Sequence, residues 1–131
     1  MLRLRTKRLF FLLFSLLLYC TTPCLALEGM EFVDADDKTG YYVNLNSVHW
    51  EADNVLISDV AVVKAATNRL YVYTMRFDME KRTYRILHSE VFAYDTRELL
   101  ETNASTVSEH FYGPASMMQE IIDYILYPEG R

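Results

Sequence analysis

Cysteine is almost missing from this sequence. Its two copies, Cys20 and Cys24, both lie near the N-terminus. Everything after them folds without a disulfide framework, a thiolate metal site or a cysteine nucleophile. Glycine is also scarce, with Gly29, Gly40, Gly113 and Gly130 making up all 4. So few leave no Gly-rich loop to cradle a phosphate and no Gly-x-Ser-x-Gly elbow, and His-Glu-x-x-His is absent too. His49, His88 and His110 are far apart and share no spacing that would make a zinc pair. No apolar run is long enough to span a bilayer. The longest, Leu9 to Tyr19, covers 11 residues, against the roughly 20 that a spanning helix needs.

That run instead has the layout of a secretory signal peptide over residues 1–26. Arg3, Arg5, Lys7 and Arg8 precede it, and Cys24-Leu25-Ala26 puts small residues at a cleavage site. A lipoprotein signal, with Cys20 lipidated, is the alternative; bulky Tyr19 stands where that processing wants a small residue. Cleavage leaves 105 residues, 27–131, enough for one domain. Lys+Arg then falls from 13 to 9 against 18 Asp+Glu, a net charge of −9. So acidic a domain does not follow phosphate backbones, which excludes nucleic acid as the expected partner, and it does not suit anionic lipid. The expected address is exported, in the periplasm or at the cell surface.

The mature part reads mainly as strands. Leu70 to Met79 alternates: Tyr71, Tyr73, Met75, Phe77 and Met79 on one side, Thr74, Arg76 and Asp78 on the other. Period-two alternation predicts one buried and one wet face. A turn at Glu80-Lys81 and a second arm, Arg82 to Ala93, complete a hairpin. Its expected register sets Phe77 opposite Tyr84, Met75 opposite Ile86 and Tyr73 opposite His88. Glu31–Asp34, Tyr41–Val48 and the β-branched Val55–Ala66 are further strands, and Glu98–Thr102 is a short edge strand. His49–Asn54 reads as a polar link, Thr67–Arg69 as a turn hinged on Asn68, and Asn103–Tyr112 as irregular.

The period changes near the C-terminus. Met117, Met118, Ile121, Ile122, Ile125 and Leu126 form one helical stripe. Ser116 with Gln119 makes a capping box, and Pro128 ends the helix. A stripe so apolar has to lie on the sheet. The fold class is therefore α+β, an antiparallel sheet with a C-terminal α-helix packed across one face. The other face needs water, a protein partner or a second subunit, as in a homodimer.

The order of a leader, the Tyr41-Tyr42 strand start, the Val60-to-Lys64 strand, the Arg76-to-Ile86 hairpin and a C-terminal helix resembles the surface-adhesin protein E-like domain of Gram-negative bacteria. The Phe77-to-Ile86 run carries most of the likeness. The resemblance implies about six antiparallel strands under the helix and a role in adhesion. It also implies a hairpin cysteine that ties down the helix; Met79 stands at that position here.

No catalytic, cofactor-binding or metal-ligating set emerges. Asp34-Ala-Asp36-Asp37-Lys38-Thr39-Gly40 opens like a calcium loop but puts Lys38, Thr39 and Leu45 where an oxygen ligand, glycine and a carboxylate belong, so it reads as a hairpin turn. Lys81, Arg82 and Arg85 form a basic patch at the hairpin tip, expected to be neutralised by Asp78, Glu80 and Glu90 or else to meet an acidic partner such as a sulfated glycan or a protein. Asn103-Ala-Ser105 matches a glycan acceptor by coincidence. Ten tyrosines are the compositional oddity, and tyrosine suits both strands and binding surfaces. The leading expectation is a non-enzymatic surface or periplasmic interaction protein. The alternative is a small-ligand-binding or hydrolytic domain with a helix–sheet pocket near His88 and Glu90.

Overall fold

The computed structural model describes residues 27–104 and 108–130. The leader-like segment 1–26, with Cys20 and Cys24, and Ser105 of the glycan pattern lie outside them. Seven strands form one antiparallel sheet: β1 (Glu31–Asp36), β2 (Thr39–Ala52), β3 (Val55–Lys64), β4 (Arg69–Asp78), β5 (Thr83–Ala93), β6 (Leu99–Ala104) and β7 (His110–Phe111). The first six lie side by side in chain order. β7 pairs with the start of β5, Thr83 opposite Phe111, so β6 and β7 share one flank of β5. Among the described residues one α-helix, α1 (Met117–Leu126), follows the sheet, giving the expected α+β architecture.

The turns follow from the residues in them. Asp37, Asn68, Arg82 and Arg97 take positive φ, between 53° and 62°, a conformation that Asn and Asp tolerate best. Asn68 also latches two turns together. Its side chain accepts from Asp95 N at 2.9 Å and donates to Asp95 Oδ1 at 3.1 Å. The bond donated by the Asn68 amide holds the Asp95 carboxyl below the usual range, with the Thr96 N–H adding to the effect.

Alternation sorts the side chains into two layers. Val43, Leu56, Val60, Val62, Met75 and Phe77 are buried with Tyr112, Ile121 and Ile122 in the main core, beneath α1. On the reverse face Ala61, Val63 and Leu70 form a smaller cluster, covered by Leu27, Met30, Tyr42, Val72, Phe92 and Tyr94. The N-terminal lead therefore closes the second face at one end.

Ser116 caps α1 as its position predicts, its hydroxyl accepting from Gln119 N at 3.3 Å. The other half of the capping box does not form: the Gln119 amide instead accepts from Arg82 and donates to Asp123. The helix lies closest to β1 and β2. There Asp34 and Glu120 share a carboxyl–carboxyl hydrogen bond, which lowers the Asp34 pKa and raises that of Glu120.

Three sequence expectations are corrected. The polar link at His49–Asn54 is mostly strand, because β2 runs on to Ala52. Polarity misled there because the strand bulges. Asn44 faces Asp59 and His49 faces Ile57, so four β2 residues lie opposite Ser58 alone. Ser47 fills the gap in the ladder: its hydroxyl accepts from Asp59 N at 2.8 Å and donates to Asn44 O at 2.6 Å. The region Asn103–Tyr112 is not all irregular, since it holds the end of β6 and all of β7. Finally, the hairpin register holds for Phe77–Tyr84 and Met75–Ile86 but slips after them. A bulge pairs Thr74 with His88 and Tyr73 with Ser89.

Candidate functional site

The helix-side face has a tyrosine-lined sector. Tyr41 on β2 and Tyr71 on β4 are both paired with Val62 of β3, so they share one row. Tyr73 lies one row along, and its ring is parallel to that of Tyr71, 6.0 Å between centroids and 11° between planes. Lys64 Nζ sits 5.7 Å from the Tyr71 ring. Burial raises the Tyr73 pKa, and the nearby Tyr71, Tyr41 and Tyr84 phenols raise it further. Tyr41 is raised as well, by burial and then by Asp36 and Tyr84. Tyr84 on β5 is on the same face, opposite Phe77. All four residues are half-buried, packed at the margin of the core with their surfaces partly open. The sector offers rigid aromatic area with uncharged polar tips, the composition that protein interfaces favour. Tyr42, also tyrosine-rich in context, faces the other way, edge-on to Phe32 at 5.4 Å.

His88 is not in this sector. The bulge turns it to the face with Thr74, away from α1, where its Nε2 meets Glu90 Oε1 at 3.2 Å. Both side chains are more than a third exposed, 43% and 38%. The expected grouping of His88 with Tyr73 and Tyr84 is thus corrected, since the register sets it on the opposite face. The other histidines are likewise apart. His49 Nδ1 contacts Ser47 O at 3.2 Å, and the His110 ring stacks on Tyr84 at 5.3 Å. Among the described residues no three His, Cys, Asp or Glu side chains gather as a metal site.

The basic hairpin tip is arranged differently from its expected neutral state. Asp78 Oδ1 accepts from the Glu80 and Lys81 N–H groups, fixing the turn. Glu90 is with His88. Arg82 donates to Gln119 Oε1 at 3.0 Å and lies 5.5 Å from the Tyr112 ring centroid. Farther along the strand, Arg76 Nε pairs with Glu51 Oε2 at 2.6 Å. Arg76 was visible in the sequence only as a polar strand position, and nothing in its neighbours pointed to Glu51. The calcium-like stretch is a two-residue hairpin turn between Asp36 and Thr39, as expected. Asn103 is on exposed β6, opposite Ser89.

Shallow grooves lie on the surface of the described residues. One, about 380 Å³, is lined by Trp50, Glu51, Ala52 and Asp53 where β2 outruns β1. Another, about 230 Å³, lies between α1 and Val33. Among the described residues no helix is long and apolar enough to cross a membrane.

These features define a class by architecture: one antiparallel meander carrying a C-terminal helix, with an aromatic sector beside that helix. Comparison with family models, curated proteins and solved structures finds no match for the chain.

Proposed function

We propose that the chain is an exported, non-enzymatic interaction protein that binds a protein partner through the Tyr41–Tyr71–Tyr73–Tyr84 sector. The observation that carries this reading is the placement of four half-buried tyrosines on one face of the sheet, set by strand register, with Tyr71 and Tyr73 stacked at 6.0 Å. Tyrosine gives large contact area for little lost side-chain freedom, so such a surface binds without remodelling. The basic, then apolar, leader-like segment supports export to the periplasm or cell surface. Adhesion to host or envelope proteins is what the adhesin E-like order of elements suggests for the partner.

The test is surface plasmon resonance of the purified protein against immobilised matrix proteins and against fractions of its own cell envelope. Saturable binding that Tyr71→Ala and Tyr73→Ala weaken by about tenfold or more supports the reading, as expected for central aromatic anchors. Tyr73→Phe keeps the ring and the fold, and separates lost contact from lost stability. A saturable partner whose affinity ignores all three variants moves the binding surface elsewhere, and no saturable partner at all counts against the role.

A further inference from the structure

We propose that the face of the sheet away from α1 carries an oxyanion site built on Arg76 and Arg85, which takes a sulfate or phosphate group. The two arginines are directly opposite each other across β4 and β5. Side chains in that relation start about 5 Å apart, and like charges there repel.

The nearby acids do not resolve the repulsion. Glu51 engages Arg76 through one N–H, at 2.6 Å, which leaves the remaining N–H groups of that guanidinium to other acceptors. Asp59 accepts from the Thr74 hydroxyl at 2.9 Å. Glu90 is with His88, and Asp78 is committed to its turn. The two ion pairs among the described residues do not include Arg85. Its Nε N–H is buried and has no hydrogen-bond acceptor. A charge partly withdrawn from water and left without a counter-ion is expensive to maintain, so an anion at the open end of the Arg85 guanidinium offsets that cost.

The chemistry of the missing partner follows from the donors. The terminal Nη groups of Arg85 are not closed off as its Nε is, and the Nη edge of a guanidinium offers two parallel N–H bonds, which match two oxygens of one anion. A second guanidinium from the neighbouring strand then needs a further oxygen. A carboxylate has only two oxygens, whereas a sulfate or phosphate ester has three that are free. The molecule is acidic overall, so a general positive field does not draw the anion; the paired forks do. The site is on the opposite face from the tyrosine sector and stands or falls independently of it.

The experiment uses the protein purified after expression of the full chain. Its arginine Nε–Hε signals are followed by NMR during titration with sodium sulfate, sodium phosphate and a sulfated disaccharide, with ionic strength held constant by sodium chloride. The expected result is a saturable shift of the Arg85 signal with sulfate or phosphate and none with chloride. Tighter binding of the disaccharide than of free sulfate identifies a glycan as the source, and a preference for phosphate identifies a phosphorylated ligand. Arg85→Lys, which keeps the charge but not the fork, weakens binding by about tenfold or more. Arg76→Lys gives a second, independent loss in a folded protein. An Arg85 signal that no anion moves, one that chloride moves equally, or affinity that survives Arg85→Lys overturns the proposal.

Discussion

The two faces of the sheet come from alternate residues of the same strands, but they are finished differently. Under α1 the core is continuous, with Phe77, Leu56, Val43, Val60, Ile121 and Ile122 all essentially inaccessible. On the reverse, the apolar cluster is limited to Ala61, Val63 and Leu70 at one end, where the N-terminal lead lies, while Val55, Asp78 and Thr83 are buried at the other. Between these ends that face carries Asp59 bonded to Thr74, His88 to Glu90 and Arg76 to Glu51, with Arg85 in no ion pair among the described residues. Apolar burial is non-directional and contributes roughly in proportion to area, whereas exposed ion pairs contribute about 0–1 kcal/mol. The helix-side layer therefore carries most of the stability, and the reverse face is free to carry chemistry. With no cysteine among the described residues, this division depends wholly on packing.

Truncations sharpen the comparison. Phe77→Ala removes the largest fully buried side chain and is expected to destabilise by about 3–5 kcal/mol in denaturant unfolding. Leu70→Ala strikes the smaller cluster and is expected to cost about 2–3 kcal/mol. It also loosens the lead, visible as faster hydrogen exchange at Met30, whose N–H bonds to Leu27 O at 3.1 Å. An equal loss from both variants would erase the distinction between the faces. Ser47→Ala leaves the Asp59 N–H without its acceptor and is expected to cost about 1–2 kcal/mol, again read from the unfolding midpoint.

The smallest effect concerns pH at the Asp34–Glu120 contact. Glu120 is raised above its ordinary 4.5, first by the hydrogen bond with Asp34, then by burial and the nearby carboxylates. Its contribution is fully present below pH 4.5 and is lost as pH rises through the raised value. Asp34 is lowered below 3.8, chiefly by the same bond, so its contribution is present above 3.8 and lost as pH falls through the lowered value. The contact is strongest between those limits, with Glu120 protonated and Asp34 ionised. Glu120→Gln, an uncharged donor at every pH, is expected to raise Tm at pH 7 relative to the parent and to change it least near pH 4. A Tm difference that does not vary with pH would remove the carboxyl pair from the account.

Much of this was legible in the sequence. The alternation in Leu70 to Met79, the Ser116 cap and the stripe through Ile121 and Ile122 each state their geometry locally, because periodicity and capping depend on near neighbours. The bulges were not legible. The extra residue between Ile86 and His88 has no residue-type signature, yet it alone moves His88 to the other face, since side chains on a strand alternate with a period of two. The stretch His49–Asn54 looked like a link because the bulge just before it, where the Ser47 hydroxyl replaces a ladder bond, could not be read from the pattern. The Arg76–Arg85 opposition depends on register across the hairpin, and its missing acceptor depends on where Glu51, Asp78 and Glu90 turn. None of those choices is written in the neighbouring residues. The tyrosines were visible as a count, but only the rows set by β3 separated Tyr41, Tyr71 and Tyr73 from Tyr42.

An open meander has two outer borders, and here they are β1 and β6, exposed along nearly their whole lengths. Unpaired backbone at such a border invites further strands to add on. β1 carries Glu31, Asp34 and Asp36; β6 carries Glu101, with Glu98 just before it. A copy approaching rim to rim brings negative charge against negative charge, so endless ribbon growth is electrostatically discouraged at low salt. High ionic strength, which shortens the reach of that repulsion to a few ångströms, is therefore the condition under which this molecule is most prone to concatenate.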